Sequence, residues 1–348
     1  MNNPPTETAV AYRAAQLFLH DKLRAQAISD RLEVEFPSFP KLPTREGVYP
    51  LLQKARDANL IRLVPPLAEE LAKAIEEKYG CQPRSVRVVD CPAPGSTPSV
   101  SEAAADWALE LVQELHGNIG RTVGLGLGPG RATRDFVLAF SQRLKENPSI
   151  PKLNLIAISA AGPVRQPAYA SGSFFNLFPP TRVEEQIGLF AGTLVRSAQI
   201  AEMRDRPGYR EAIEAVKNIH LVVTSMGDIE DEHALLRIWY DECRKEPKPS
   251  WWGQAVGDIQ YRPYGNDGFI REKPNDLRAV TLFELEDLVR LANNRDRHVL
   301  LIARQCALCD PRRTRAKPLR PILKNPHMRV FSRLIMDSPT AYELLQGE

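Results

Sequence analysis

The stretch Val123-Gly-Leu-Gly-Leu-Gly-Pro-Gly-Arg-Ala-Thr133 decides the fold of the larger part of this chain. A short apolar strand runs into a glycine-rich loop, and residues 132–145 then have helical periodicity. Such a junction presents several backbone amides beside the positive end of a helix dipole, which suits a phosphate. The spacing matches neither the P-loop, because no Lys-Ser/Thr pair closes it, nor the GxGxxG motif. A phosphate cradle and a tight turn that needs glycine only for packing are the two interpretations.

Short apolar runs alternate with helical patterns along the rest of the chain. Strands are predicted at residues 85–90, 121–127, 153–159, 220–225, 298–303 and 330–335. Helices are predicted at residues 101–115, 132–145, 182–202, 229–245 and 281–293. This alternation is typical of a parallel sheet covered by helices, in which ligands bind beyond the carboxyl ends of the strands. We therefore expect a pocket built from residues 160–165, 224–228, Asp258, Arg304 and Lys317.

The N-terminal part of the chain has a pattern typical of a helix-turn-helix. Residues 20–32 and 44–63 predict two short amphipathic helices and then a short strand. The apolar faces consist of Leu23, Ala27, Ile28 and Leu32 in the first helix and of Val48, Leu51, Leu52 and Ala55 in the second. Two such helices near a terminus suit a protein that reads the DNA major groove. Residues 67–79 continue with a helical pattern that suits a linker helix.

The second helix of this pair is the candidate recognition helix. Thr44 is its expected N-cap, which places the following residues where a recognition helix meets base edges. The residues expected to contact DNA are Thr44, Arg45, Glu46, Tyr49, Lys54 and Arg56. The connection at 33–43 is long, and Pro50 removes a backbone donor, so we expect a kink or a late helix start. A helical subdomain that binds nothing is the alternative.

Composition limits the class of protein further. The chain has 348 residues, of which 43% are hydrophobic and 26% charged, as expected for a two-domain globular protein. No apolar run approaches the roughly 18 residues that span a bilayer, and the N-terminus has no signal-peptide pattern. We therefore expect a cytoplasmic protein without a membrane partner. The net charge of +3 is too small to demonstrate a polyanion partner, and only residues 304–324 are locally basic.

The cysteines do not form a recognisable framework. They lie at positions 81, 91, 243, 306 and 309, an odd number. Cys306-Ala-Leu-Cys309 is a single CxxC, and neither a second CxxC nor an HxxxH supplies the two further ligands that zinc requires. The sequence therefore predicts reduced thiols, no metal and no cofactor.

Taken together, these segments resemble the SorC/DeoR-type sugar-binding transcriptional regulators of bacteria over nearly the whole chain. The resemblance rests on residues 44–62, 124–133, 255–259 with Gly268, and 336–345. It implies a helix-turn-helix domain at 1–66, a linker helix at 67–80, and an effector and oligomerisation domain at 81–348. The effector domain is expected to be α/β with a mainly parallel sheet, similar to the glucosamine-phosphate deaminase and ribose-phosphate isomerase fold.

The same resemblance implies the partners and the ligand residues. The partners would be double-stranded operator DNA, a phosphorylated sugar or related metabolite, and further copies of the chain in a homodimer or homotetramer. The ligand residues would be Gly128, Gly130, Arg131, Ala132 and Thr133 around the phosphate, Arg165 and Asn176 at a second loop, Asp258 at the sugar hydroxyls, and Lys317 as the ligand-facing lysine. The segment 304–317 is longer and bulkier than the glycine pair that usually precedes this lysine.

Two other functions stay open on the sequence alone. An enzyme acting on a sugar phosphate would need a positioned acid–base group, for which Asp258 and the pair Glu230/Asp231 are candidates. These carboxylates form no recognisable constellation with a histidine, so we expect no catalytic residues. The third possibility is an effector-like scaffold that has lost its ligand, because the segment 304–317 departs from the family pattern.

Overall fold

The computed structural model describes residues 5–39, 44–58, 60–61, 64–91, 98–160, 162–191, 194–243, 248–309 and 311–347. The chain divides into two compact units, Met1–Val64 and Pro65–Glu348. The helix at the predicted linker, α4 (Glu69–Tyr79), lies in the second unit. Its buried residues Ala72 and Ile75 belong to the same hydrophobic core as Val86 of the first strand.

The described residues of the first unit form the helices α1 (Glu7–Leu19), α2 (Ala25–Glu35) and α3 (Val48–Asp57). Their buried residues form one core that consists of Val10, Ala11, Ala14, Ala15, Leu17, Ala25, Ile28, Leu32, Val48, Leu51 and Ala55. Helix α1 is absent from the sequence prediction, although Thr6 is its N-cap and accepts a hydrogen bond from the Ala9 amide at 3.2 Å. The unit therefore has a third helix packed against the predicted pair.

Several details of the predicted helix pair are corrected by the structure. The first helix begins at Ala25 rather than at residue 20, and Ala27 is exposed, because the buried face runs through Ala25, Ile28 and Leu32. A 3-10 turn, Arg45–Gly47, precedes α3, and the Thr44 side chain makes no capping hydrogen bond. The late start at Val48 leaves Pro50 in the first turn, where a missing N–H breaks no helical bond. Leu60 and Ile61 are not in a strand, and residues 62–63 of the predicted strand lie outside the described residues.

The second unit is a layered α/β domain. Its further helices are α5 (Pro98–Ile119), α6 (Arg131–Glu146), α7 (Ile200–Arg204), α8 (Tyr209–Ala215), α9 (Leu235–Glu242), α10 (Leu285–Ala292), α11 (Ala316–Lys324) and α12 (Ser338–Gln346). Its strands are β1 (Val86–Val89), β2 (Val123–Leu127), β3 (Leu153–Ala157), β4 (Val183–Ile187), β5 (Leu194–Arg196), β6 (Ile219–Asp228), β7 (Gly257–Ile259), β8 (Arg262–Tyr264), β9 (Leu277–Ala279), β10 (His298–Ala303) and β11 (Arg333–Asp337).

The main sheet has the order β1-β11-β10-β6-β2-β3-β4, and neighbouring strands along this path are parallel. β7 continues it antiparallel to the end of β6, and β8 pairs with β7. Successive residues of β6 belong to cores on opposite faces, since Leu221 and Val223 are in one core and Val222 in the other. The prediction of an α/β fold with a mainly parallel sheet is confirmed.

Two predicted helices of this unit are wrong in extent or type. Residues 182–202 contain β4, β5 and the start of α7 instead of one long helix. β4 pairs only with β3 along the sheet path, so this edge strand exposes polar residues that also favour a helix. The helix predicted at 229–245 is limited to α9, and residues 244–247 lie outside the described part. Of the described helices, none combines the length and the apolar character needed to cross a bilayer.

Candidate functional site

A pocket opens at the carboxyl ends of β2, β6 and β10, where the fold favours a ligand. Its polar and glycine lining consists of Gly130, Arg131, Ser225, Gly227, His233, Asp258, Gln260, Tyr261, Arg304, Gln305, Cys306 and Arg315. We call residues 129–132 the glycine wall and Asp258, Gln260 and Tyr261 the hairpin wall. The third part is the cysteine loop, residues 304–315, which connects β10 to α11.

The glycine wall is fixed by hydrogen bonds within the protein. The Gly130 amide donates to the Tyr169 carbonyl at 3.0 Å, and the Gly128 amide donates to the Val223 carbonyl at 2.9 Å. The φ of Gly130 is 134°, and a Cβ there would lie 2.3 Å from the Ser225 Oγ, so only glycine fits. The N–H groups of these two glycines are therefore not available to a phosphate as predicted.

The amides that suit an anion belong instead to the next three residues, Arg131, Ala132 and Thr133. They begin α6, where backbone N–H groups have no acceptor within the helix, and no side chain of the described residues caps this end. The Thr133 side chain is buried, and its hydroxyl donates to the Ser225 Oγ at 3.2 Å. The backbone amide of Thr133 can therefore bind an anion, whereas its hydroxyl is already bonded within the protein.

Arg131 supplies a positive charge without a carboxylate partner among the described residues. Its guanidinium donates to the Gln166 Oε1 at 2.6 Å and to the His233 carbonyl, and it lies 5.0 Å from the centroid of the Tyr169 ring. All three partners are neutral. Because no anion offsets this charge, an incoming phosphate would gain charge-assisted hydrogen bonds here.

The hairpin wall is strained and fully buried. β7 and β8 are joined by the two-residue turn Gln260–Tyr261, whose φ values are 56° and 63°. A turn with two positive φ values is usually made by Asn-Gly, because other side chains clash in this conformation. Non-glycine residues held in this region are concentrated at functional sites. The turn directs both side chains into the pocket lining.

Buried polar atoms of this region have no hydrogen-bond partner in the described part of the chain. They are Gln260 Nε2 and Oε1, the Tyr261 hydroxyl and Arg315 Nη1. Each buried polar group left without a partner costs roughly 1–3 kcal/mol. Together they offer both donors and acceptors, which is the pattern that a polyhydroxylated ligand would complete.

Asp258 lies on β7 in the same wall and has an unusual pKa. Burial raises the pKa of its carboxyl to about 7, while a hydrogen bond from the Tyr261 amide at 3.2 Å and the charge of Arg315 oppose the shift. Gly227 leaves room for it, since a Cβ at that position would lie 2.2 Å from the Asp258 Oδ1. Asp258 is therefore present in both protonation states near neutral pH.

The other predicted ligand residues do not line this pocket. The Arg165 and Asn176 side chains are exposed, and Arg165 is bonded to Glu242 through its backbone amide at 3.1 Å. Lys317 is half exposed on α11, and its Nζ lies 2.6 Å from the Glu230 carboxylate. Arg315, which directly precedes α11, lines the pocket, whereas Lys317 does not. The pocket thus combines Gly130, Arg131, Ala132 and Asp258 of the predicted set.

In the first unit, the predicted DNA-contacting residues differ in exposure and in whether they already form ion pairs. Thr44, Arg45, Glu46 and Tyr49 are exposed at the start of α3. Lys54 forms an ion pair with Glu7 of α1, and Arg56 lies 3.4 Å from the Asp57 carboxylate. Arg45 is thus the exposed cation of this set that has no carboxylate partner in the described ranges.

Comparisons with known proteins identify the fold. No family model matches the chain, and no curated protein matches it. The full-length sorbitol operon regulator SorC from Klebsiella pneumoniae matches with a TM-score of 0.64 and 16% identity, covering 98% of this chain and 100% of that chain. A DeoR family transcriptional regulator from Listeria monocytogenes matches with a TM-score of 0.53 and 17% identity, over 79% of this chain and 98% of that chain.

A third match is a domain of a possible sugar-binding transcriptional regulator from Arthrobacter aurescens TC1. Its TM-score is 0.53 at 16% identity, over 80% of this chain and 97% of that chain. The chain therefore has the fold of SorC/DeoR-type transcriptional regulators over nearly its whole length. The resemblance predicted from the sequence is confirmed at the level of the fold.

Proposed function

We propose that this protein is a DNA-binding transcriptional regulator whose affinity for its operator is modulated by a phosphorylated sugar or a related small metabolite. The observation that carries the proposal is the full-length likeness to the SorC operon regulator, which includes the helical first unit as well as the α/β unit. We further propose that the protein works in the cytoplasm as a homodimer or homotetramer, since two recognition helices would fit a two-fold-symmetric operator.

The chemistry of the pocket supports a ligand with one anionic and one hydroxylated end. The phosphate would bind the free amides at the start of α6 and the Arg131 guanidinium. The sugar hydroxyls would bind Asp258, Gln260 and Tyr261, which line the same pocket. The two ends of the ligand would thus contact different walls of the pocket.

Ligand entry requires a rearrangement of the pocket. Its volume is about 90 Å³, well below the roughly 300–1,000 Å³ of typical ligand pockets. Arg131 is the side chain best placed to move, because its present partners are neutral and a phosphate would replace them with a stronger one. A ligand that moves Arg131 binds the rearranged pocket more tightly than the present one. Such a difference in affinity between two conformations is the requirement for a regulatory effect.

DNA binding would depend on the exposed start of α3. Arg45, Glu46 and Tyr49 would meet base edges, and Arg56 would approach phosphates. If Arg45 reads a guanine, its replacement should weaken specific binding by about 1–3 kcal/mol. Lys54 would first have to leave Glu7, so we expect a smaller contribution from it.

Selection of binding sites from a random duplex DNA pool at physiological salt tests this proposal. We expect the full-length protein to enrich a two-fold-symmetric sequence, the Arg45→Ala variant to lose that enrichment, and the charge-matched control Lys73→Ala to retain it. Lys73 lies on α4, where it pairs with Glu77 at 3.8 Å. A folded, oligomeric protein that enriches no sequence would contradict the proposal.

An enzyme that acts on a sugar phosphate is the second candidate function. One observation favours it, the buried Asp258 with a pKa of about 7, a value suited to proton transfer near neutral pH. The matched structures reported above are transcriptional regulators, which weighs against this alternative. Turnover of a sugar phosphate by the purified protein, lost in the Asp258→Asn variant, would establish it.

A further inference from the structure

Four side chains with metal-binding atoms meet beside the pocket. Asp231 and His233 lie between β6 and α9, and Cys306 and Cys309 lie in the cysteine loop. β6 and β10 are parallel neighbours, so the loops that follow them lie at the same edge of the sheet. One ligand atom from each of the four residues lies within 4.8 Å of every other. Residues far apart in sequence thus form one compact cluster.

The distances inside this cluster suit a tetrahedral ion. The Cys309 Sγ lies 3.2 Å from the Asp231 Oδ1 and 3.4 Å from the His233 Nδ1. The His233 Nδ1 lies 3.5 Å from the Asp231 Oδ1. Zinc bonds to oxygen, nitrogen and sulfur are about 2.0–2.3 Å long, which places neighbouring ligands of a tetrahedral site roughly 3.4–3.8 Å apart. These three separations need to change by only a few tenths of an ångström, and the Cys306 Sγ lies within 4.8 Å of the other three atoms.

The surroundings also suit a bound cation. Asp231 and Cys306 are buried, whereas the His233 side chain is 29% exposed, which leaves a route for an ion to enter. The second carboxylate oxygen of Asp231 accepts a hydrogen bond from Arg315 Nη2 at 2.9 Å, as outer partners of metal ligands commonly do. Two thiolates, a carboxylate and a divalent ion leave one negative charge, which the Arg315 guanidinium offsets.

We propose that Asp231, His233, Cys306 and Cys309 bind one Zn²⁺ ion in a tetrahedral site. Sulfur and imidazole ligands favour zinc over magnesium or calcium, and four protein ligands leave no open position for a reacting water. The ion is therefore structural and holds the cysteine loop against the loop that follows β6. The sequence predicted no metal because the two further ligands come from an Asp-x-His segment rather than from a second CxxC.

The zinc site is connected to the ligand pocket. His233 and Cys306 both line the pocket, and the His233 carbonyl accepts a hydrogen bond from the Arg131 guanidinium. Zinc would therefore fix the position of a group that holds Arg131 in place. By ordering the surroundings of Arg131 in the glycine wall, a bound metal would change the affinity for a phosphorylated ligand without contacting that ligand.

The experiment uses the 348-residue chain purified under reducing conditions. Metal content is measured by mass spectrometry after dialysis, and the metal-free protein is then titrated with Co²⁺. We expect one zinc ion per chain, together with the visible d–d bands of tetrahedral cobalt and a thiolate-to-cobalt charge-transfer band. The Cys306→Ser/Cys309→Ser double variant should lose the zinc and both spectral features.

Two further variants keep the test decisive if the double variant folds poorly. His233→Gln should weaken zinc binding at least tenfold in competition with a chromophoric chelator, because it removes one ligand and both cysteines remain. Cys81→Ser is the matched control, since Cys81 follows α4 and packs against a different part of the domain, and it should bind zinc like the wild type.

The proposal is overturned if reduced wild-type protein gives no tetrahedral cobalt spectrum. Equal zinc content in the wild type and the double variant would also overturn it, because the metal would then lie elsewhere. A third contradictory result is a Cys306–Cys309 disulfide that forms in air at the same rate with and without zinc, since bound thiolates are protected from oxidation.

Discussion

The glycine wall and the hairpin wall line one pocket, and their polar groups differ in whether they have partners within the protein. Gly130 and Arg131 of the glycine wall have protein partners for the amide of one and the guanidinium of the other. In the hairpin wall, Gln260 and Tyr261 have positive φ values and buried polar atoms without a partner in the described chain. The glycine wall thus holds its fixed groups with neutral protein partners, whereas the hairpin wall has buried polar atoms that a ligand could satisfy.

This difference predicts that the two walls recognise different parts of the ligand. A wall that combines an arginine with the amides of a helix N-terminus attracts an anion, which suits a phosphate. A wall with unsatisfied donors and acceptors discriminates strongly, because a ligand that lacks the matching hydroxyls leaves them buried and unpaired. We therefore expect the glycine wall to determine affinity for the phosphate and the hairpin wall to determine which sugar binds.

The largest effect is expected from the charge in the glycine wall. Arg131→Gln should weaken binding of a sugar phosphate roughly 10- to 100-fold, because hydrogen bonds to charged groups contribute about 1.5–3 kcal/mol. Calorimetry with the hexose or pentose phosphate that most raises the melting temperature measures this. The control Arg165→Gln removes an exposed arginine outside the pocket and should change nothing. Equal weakening by both variants would show that Arg131 acts only through net charge.

The strain in the hairpin wall predicts a gain of stability on mutation. Gln260→Gly removes a side chain with positive φ and two buried polar atoms without a partner. The ligand-free protein should gain about 1–2 kcal/mol in unfolding free energy, while affinity for the sugar phosphate falls. Urea unfolding and calorimetry measure the two quantities. A less stable variant would show that the Gln260 amide is satisfied and that the contrast between the walls is wrong.

The carboxyl of Asp258 makes the stability of the hairpin wall depend on pH. The folded pKa of this carboxyl, about 7, lies above its unfolded value. Its contribution to the free energy of unfolding is therefore present at low pH and is lost as the pH rises through 7. Relative to Asp258→Asn, the wild type should lose about 1 kcal/mol between pH 6 and pH 8. Thermal unfolding of both proteins across this range checks the sign. A constant difference between them would mean that the carboxyl does not titrate there.

The smallest effect is expected outside both walls. Lys317→Ala removes a half-exposed pair with Glu230, which should alter stability and ligand affinity by less than about 0.5 kcal/mol. The same calorimetric titration measures it. A tenfold loss of affinity would return Lys317 to the ligand site and would mean that α11 moves when the ligand binds.

The glycine wall could be predicted from sequence because its parts are contiguous. Strand, loop and helix follow one another from Val123, so their joint position is fixed locally. The central strands β6 and β10 were also predictable, since buried parallel strands appear as continuous apolar runs. In contrast, the edge strand β4 was predicted as helix, because its exposed Glu184, Glu185 and Gln186 have high helix propensity.

The rest of the site depends on pairing between distant segments. Asp231 and Arg315 meet only because β6 and β10 are neighbours in the sheet. The turn Gln260–Tyr261 has no glycine, so local turn rules gave no signal of its positive φ values. Helix α1 was predictable from local sequence, since Val10, Ala14 and Leu17 have the spacing of an amphipathic helix.

Ligand binding in the pocket is proposed to change the affinity of the protein for DNA. The Kd for DNA, measured with and without ligand, tests this coupling directly. Fluorescence anisotropy of the duplex enriched by selection would be measured with a panel of hexose and pentose phosphates and with their unphosphorylated sugars. We predict that one phosphorylated sugar changes the Kd for DNA at least about 5-fold, that its unphosphorylated form does not, and that Arg131→Gln loses the response. An unchanged Kd in the presence of a sugar phosphate that demonstrably binds the protein would contradict the account.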